Sequence, residues 1–246
     1  MRLDRMGSMH QSRLSFLRQF LRRASKQNWK FNRDLFEIDA RGLGTALYRL
    51  STPLRDYTLV CFSHDLPDEM RSDRVIASAW DATFTLYDGR PSVDDIKRLN
   101  QHVPYQEEGR LTQNELCLSR ANRSVRLWDY VLNHLAEGKQ PNLDRIKDVG
   151  YLMRTTAVYG SGKFGTADRR VVENREEANS PFQLEMMTVY LIRTFIIDLI
   201  EHLAEMKNPE RAVKLDSSIR RSFGVGNSTG LGMAPFLINH PRFCLL

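Results

Sequence analysis

The sequence predicts an α+β fold, a mainly helical body with a small antiparallel β-meander near the N-terminus. Apolar residues recur at every second position in Phe36 and Ile38, then Ala46, Tyr48 and Leu50, then Tyr57, Leu59 and Cys61. Gly42, Gly44 and Pro53 punctuate that stretch. Beyond Pro91 the apolar spacing turns helical, and three capping signals precede apolar runs: Ser92 with Asp95, Thr112 with Glu115, and Ser180-Pro181. With 246 residues and 41% apolar content, the chain is long enough to bury a sizeable core. The expected division is a basic amphipathic helix over residues 1–30, an antiparallel β element over 31–90 and a helical region over 91–246, all in one compact domain.

The first helix is expected to turn Leu14, Leu17, Leu21 and Ala24 toward the body, since they fall at helical spacing. Residues 1–30 carry eight Lys and Arg against Asp4, a balance of 8 − 1 = +7, so the other 216 residues carry 6 − 7 = −1. After the meander, Ala79 to Tyr87 reads as a fourth extended piece ending at the turn Asp88-Gly89, with a helix over Val75 to Ala82 as the alternative. Ser92 and Asp95 start a short helix that runs to about Gln101. Thr112-Gln-Asn-Glu115 is a capping box for a long helix presenting Leu116, Val125, Trp128, Val131, Leu132 and Leu135, ended by Gly138. A third helix is expected from Asn142 to Val158, stopping at Gly160. A fourth, starting at Ser180-Pro181, is apolar on most faces and should form the core. Shorter helices follow near Pro209 to Leu215, Ser217 to Phe223 and Leu231 to Ile238.

Several classes are set aside. Cys61, Cys117 and Cys244 are odd in number and far apart, without CxxC or Cys/His zinc spacing, so neither a disulfide scaffold nor a structural metal is expected. The most apolar run, Met186 to Ile200, contains Arg193 and Asp198, and no stretch approaches the ~20 clean apolar residues of a membrane span. A reducing, cytoplasmic setting is the expectation.

Two glycine-rich segments are the main site candidates. Gly160, Gly162 and Gly165 make a GxGxxG pattern after Arg154 and around Lys163, but Glu185 falls inside a helix where a dinucleotide fold needs a strand-end acid. Kinase and P-loop readings also lack their partner residues, which leaves a loop with positive charge or a simple helix cap. The second segment follows Arg220 and Arg221 with Gly224, Gly226, Asn227, Ser228, Thr229, Gly230 and Gly232, where backbone N–H groups could converge on an anion. Thr229 or Ser228 as a plain cap is the alternative.

Arg120, Asn122, Arg123 and Arg126 form a basic, amide-bearing stripe at helical spacing, or a solvated face. Arg193 should be buried in the core helix and paired with Glu185, Asp198 or Glu201. His64 and His240 are the histidines placed nearest a cleft, without a nucleophile partner, so the catalytic residues are left unassigned. Trp80-Asp81 and Tyr159 line a pocket or the core.

Arg71 to Gly89, Leu116 to Trp128, Val149 to Arg169 and Arg221 to Pro241 resemble segments of an uncharacterised family of bacterial proteins with no assigned function. The resemblance implies a bacterial cytoplasmic origin and a shortened member, because the family continues past Asn239-His240-Pro241. It supplies neither cofactor nor catalytic residue.

The functional expectation is a protein that binds a small anionic molecule, phosphate- or carboxylate-bearing, through Arg154, Gly160, Gly162, Lys163, Arg220, Arg221, Gly224, Gly226, Asn227, Ser228, Thr229 and Gly230. The two glycine segments should share one cleft with these arginines. Nucleic acid or an acidic partner on the basic N-terminal helix is the second reading, and a non-catalytic interaction or structural subunit the third.

Overall fold

The computed structural model describes residues 22–67, 69, 79–104, 112, 114–155, 175, 177 and 181–227. Within these, 33% of residues are strand and 37% helical, and the strands form one curled, half-barrel sheet. Its seven strands lie in chain order: β1 (Lys30–Ile38), β2 (Gly44–Ser51), β3 (Asp56–Asp65), β4 (Trp80–Asp88), β5 (Glu115–Arg123), β6 (Tyr151–Thr155) and β7 (Gly224–Asn227). All neighbours are antiparallel except β6 and β7, which run parallel. The fold is therefore not a mainly helical body with a small meander: the expected meander is only the first three strands of the sheet that organises the molecule.

The correction has a local cause at β5. The capping-box hydrogen bonds at Thr112 and Glu115 do form: the Thr112 N–H donates to the Glu115 carboxylate at 3.0 Å and its hydroxyl at 2.9 Å. They close a turn into a strand instead of a helix, because Glu115 is fully buried and held at 2.6 Å by Arg98. Only Trp128–Ala136 of the long expected helix is helical, and we call it α3 after residues 22–26 (α1) and Val93–Gln101 (α2). In α2 the Ser92–Asp95 box is present as expected. The expected helix over 142–158 shortens to α4 (Leu143–Val149). Asn142 caps its start, and Gly150, at φ 77°, takes the left-handed conformation that releases the chain into β6.

The long helix α5 (Pro181–Lys207) begins at the expected proline. Residues 209–216 form a turn and irregular chain instead of a helix, and α6 spans only Ser217–Arg220 before leading into β7. Of the alternative helix over Val75 to Ala82, residues 80–82 are strand. Leu14, Leu17 and Leu21 and the expected helix over 231–238 lie outside the described residues, whereas Ala24 is buried in the core.

Helix α5 covers one face of the sheet. Phe195 meets the Tyr48 ring edge-on at 6.2 Å and the Phe84 ring at 5.5 Å, among Leu59, Cys61, Ala82 and Leu86. Tyr48 also donates to Asp198 at 2.8 Å, which anchors the helix to β2. Arg193 is half-buried, and its partners include backbone: it donates to the Phe223 carbonyl at 2.6 Å and to that of Arg220. Of its expected carboxylates, Glu201 accepts from Arg220 and Asp198 from Tyr48 and Arg33. The opposite face carries a smaller cluster of Val60, Phe62 and Tyr87 under Leu99 of α2. No helix among the described residues is long and apolar enough to cross a membrane.

Candidate functional site

Strand register places a polar row across that opposite face. His64 of β3 is the cross-strand partner of Asp81 on β4. Asn122 stands one position beyond the Ala82–Ala121 pair, and its amide donates to the Trp80 carbonyl, so it continues the row beside Asp81. Asn122 in turn pairs with Arg154 on β6, and Arg154 with Gly226 on β7. Cross-strand partners project to the same face. Trp80, Ala82, Phe84 and Leu86 therefore face the core under α5, while Asp81, Thr83, Thr85 and Tyr87 share the face of the row. Thr83 pairs with Phe62 and Arg120 in the adjacent row.

Asp81 is fully buried. Arg120 grips one of its carboxylate oxygens, Oδ2, with Nε at 2.8 Å and an Nη at 2.6 Å, and Oδ1 is buried without a hydrogen-bond partner. Burial raises the Asp81 pKa to about 6 despite the arginine, because removing a carboxylate from water costs more than one guanidinium returns. His64 has Nδ1 3.2 Å from the Asp65 carbonyl, and its Nε2 is buried without a partner. Burial pushes its pKa down; the contact with the Asp65 carbonyl opposes this, and the charge of Arg120 adds to it. The Thr83 hydroxyl is the third unpartnered buried group on this face. Among the described residues, no three His, Cys, Asp or Glu side chains cluster as metal ligands would.

The far end of the row opens into a cavity of about 240 Å³ lined by Asn122, Arg123, Ser124, Val125, Arg126, Tyr151 and Arg154. Arg123 lies 4.2 Å over the Trp80 ring and 5.0 Å from the Trp128 ring, and one of its Nη groups donates to the Arg41 carbonyl at 3.2 Å. Burial lowers its pKa to about 10, which still leaves it charged at neutral pH. Arg126 is exposed and Arg154 half-buried, and neither pairs with a carboxylate among the described residues. Elsewhere arginines sit on acids: Arg49 on Asp34, Arg98 on Glu115, Arg175 on Asp88, Arg220 on Glu201.

Of the residues expected from sequence, Arg154 lines this cavity and Gly226 is its strand partner. A Cβ on Gly226 would stand 2.8 Å from the Tyr151 ring, so this glycine admits the ring that walls the cavity. Gly224 donates its N–H to the Gly150 carbonyl at 2.8 Å, and Asn227 pairs with Thr155. These three residues thus form strand, not an anion-binding loop. Arg220 is held by Glu201 at 2.6 Å, and Arg221 is exposed in the turn after α6. Gly160, Gly162, Lys163, Ser228, Thr229 and Gly230 lie outside the described residues, as do Tyr159 and His240.

The stripe of Arg120, Asn122, Arg123 and Arg126 splits by strand geometry, with Arg120 and Asn122 on the face of the row and Arg123 stacked on the core tryptophans. The His64–Asp81 pairing escapes a reading of single residues. The signal for it was the polar alternation of Asp81, Thr83 and Thr85 between Trp80, Ala82, Phe84 and Leu86. The chain matches no family model, no curated protein and no solved structure.

Proposed function

We propose that the protein binds a small anionic molecule, phosphate- or carboxylate-bearing, in the cavity of Arg123, Arg126 and Arg154. The observation that carries this reading is a cavity bordered by Arg126 and Arg154, neither of them against an acid, whose lining holds no carboxylate, while most other arginines among the described residues sit against acids. Guanidinium matches carboxylate and phosphate in a bidentate geometry, and the Asn122 amide adds a neutral polar group. A volume of about 240 Å³ suits a metabolite-sized ligand rather than a polymer. A cytoplasmic setting fits this proposal, with Cys61 and Cys117 as buried free thiols.

Thermal unfolding in rising inorganic phosphate, at constant ionic strength, tests it. Binding at 100 times Kd should stabilise the protein by roughly 2.7 kcal/mol. Arg154→Ala and Arg126→Ala should each remove most of that gain. An equal response in wild type and both variants would assign the effect to general salt action and end the proposal.

A further inference from the structure

We infer that His64, Asp81 and Thr83 form an acid–base pocket that binds one O–H group and lets His64 Nε2 take its proton. The inference rests on the anion-binding reading only in making this pocket part of the same site. Its own basis is three buried polar atoms without partners on one sheet face: His64 Nε2, Asp81 Oδ1 and Thr83 Oγ1. Native proteins rarely strand such groups, and three on adjacent positions are most simply met by a shared hydrogen-bonding ligand atom.

The chemistry of the three atoms is specific. With Nδ1 against the Asp65 carbonyl, the hydrogen sits on Nδ1 and Nε2 presents a lone pair. Arg120 holds Oδ2 of Asp81 with its Nε and an Nη, which leaves Oδ1 as an acceptor, and the threonine hydroxyl serves as donor or acceptor. In the transfer, the O–H bond of the bound group breaks and its electron pair stays on oxygen. The new Nε2–H bond forms and stays hydrogen-bonded to that oxygen, on the sheet face that Asp81 and Thr83 share with His64. Arg120 keeps the Asp81 carboxylate in place on the same sheet face. The other charges facing the pair are Asp65 and, through its ion pair at 3.6 Å, Arg41.

Neighbouring strands are about 4.8 Å apart, so Arg154 stands about 10 Å from Asp81 along the row, with Asn122 between them. The O–H group is supplied either by water or by a hydroxyl of the bound anion. These are the same chemistry at this pocket.

Long-range nitrogen–proton NMR of the full chain, with His64 assigned by a His64→Gln variant, tests the inference without a known substrate. The expected result is a neutral ring with Nδ1 protonated and Nε2 free, titrating below the ordinary value of about 6.5. Asp81→Asn should move the Nε2 resonance, since it exchanges the carboxylate acceptor on the same face for an amide. Thr83→Val should move the Nε2 resonance while the fold is kept. If water fills the pocket, inorganic phosphate and glycerol 3-phosphate act alike on Nε2; if the ligand's hydroxyl fills it, only glycerol 3-phosphate shifts the resonance. A protonated Nε2, or an Nε2 resonance unmoved by both Asp81→Asn and Thr83→Val, overturns the pocket even where phosphate binds. Loss of phosphate stabilisation alone bears on the cavity and leaves this result standing.

Discussion

On the face of the sheet covered by α5, Phe195 meets Tyr48 and Phe84 edge-on, and polar anchors of the helix are satisfied, Tyr48 on Asp198 at 2.8 Å and His202 on the Ile38 carbonyl at 2.9 Å. On the opposite face, the same strand β4 turns Asp81 and Thr83 into a buried row where Asp81 Oδ1, Thr83 Oγ1 and His64 Nε2 are unpartnered. One strand thus serves two environments by alternation alone. The apolar face supplies stability through burial. The polar face gives some of it up, since an unsatisfied buried polar atom costs about 1–3 kcal/mol. Three such atoms lie together here, on a face whose polar row ends at the arginine cavity, while Ser63 Oγ and Trp128 Nε1 are unpartnered on the covered face.

The largest expected effect breaks the apolar face. Phe195→Ala should lower stability by about 3–5 kcal/mol in chemical denaturation, because it empties the contact between α5 and strands β2 and β4. A loss below about 1 kcal/mol would show that α5 is not what closes the core. Nearly as large, about 3 kcal/mol at pH 7, should be the effect of Arg120→Met, which strands the buried Asp81 carboxylate. That loss should shrink at pH 5, where Asp81 takes up a proton, and an equal loss at both pH values would contradict the ionised pair.

Asp81 itself sharpens the comparison. In the folded protein it keeps its proton up to about pH 6, whereas its unperturbed value is 3.8. Between those limits the folded state binds more protons than the unfolded chain. Its contribution is therefore full below about pH 3.8 and is lost as pH rises through about 6. The stability difference between wild type and Asp81→Asn should accordingly fall by roughly 2 kcal/mol from pH 4 to pH 7. Asp39, Asp56 and Asp95, held below the usual range, slope the other way but cancel in this difference. A difference that rises with pH would reverse the electrostatic account of the row.

Gly226→Ala comes next, at about 1–3 kcal/mol, because its Cβ meets the Tyr151 ring at 2.8 Å. It should also weaken phosphate binding, since that ring walls the cavity; unchanged binding in a folded variant would separate the two. The smallest change in stability belongs to Arg154→Ala, within about 0.5 kcal/mol without ligand, because no ion pair among the described residues is lost. Its effect appears only when phosphate is added.

Much of the first half of the fold is legible in the order of the amino acids alone. Alternation in 36–61 marks β1 to β3, Ser92 with Asp95 starts α2, and Pro181 opens α5. Strands β5 to β7 are not legible in this way. Glu115 to Ala121 is almost entirely buried, on both faces of a central strand, so it carries little period-two signal, and the Thr112–Glu115 hydrogen bonds look the same ahead of a helix or a strand. In the candidate site, Arg154 and Gly226 are legible as a cation near one glycine segment and a glycine in the other.

By itself the sequence determined local matters: caps, turns, the apolar helix and which residue types could meet an anion. Only the tertiary structure decided that Arg154 stands between Asn122 and Gly226 and that His64 faces Asp81. The physical reason is that cross-strand register is set by pairing between segments distant in the chain, where a shift of one residue turns every side chain to the other face.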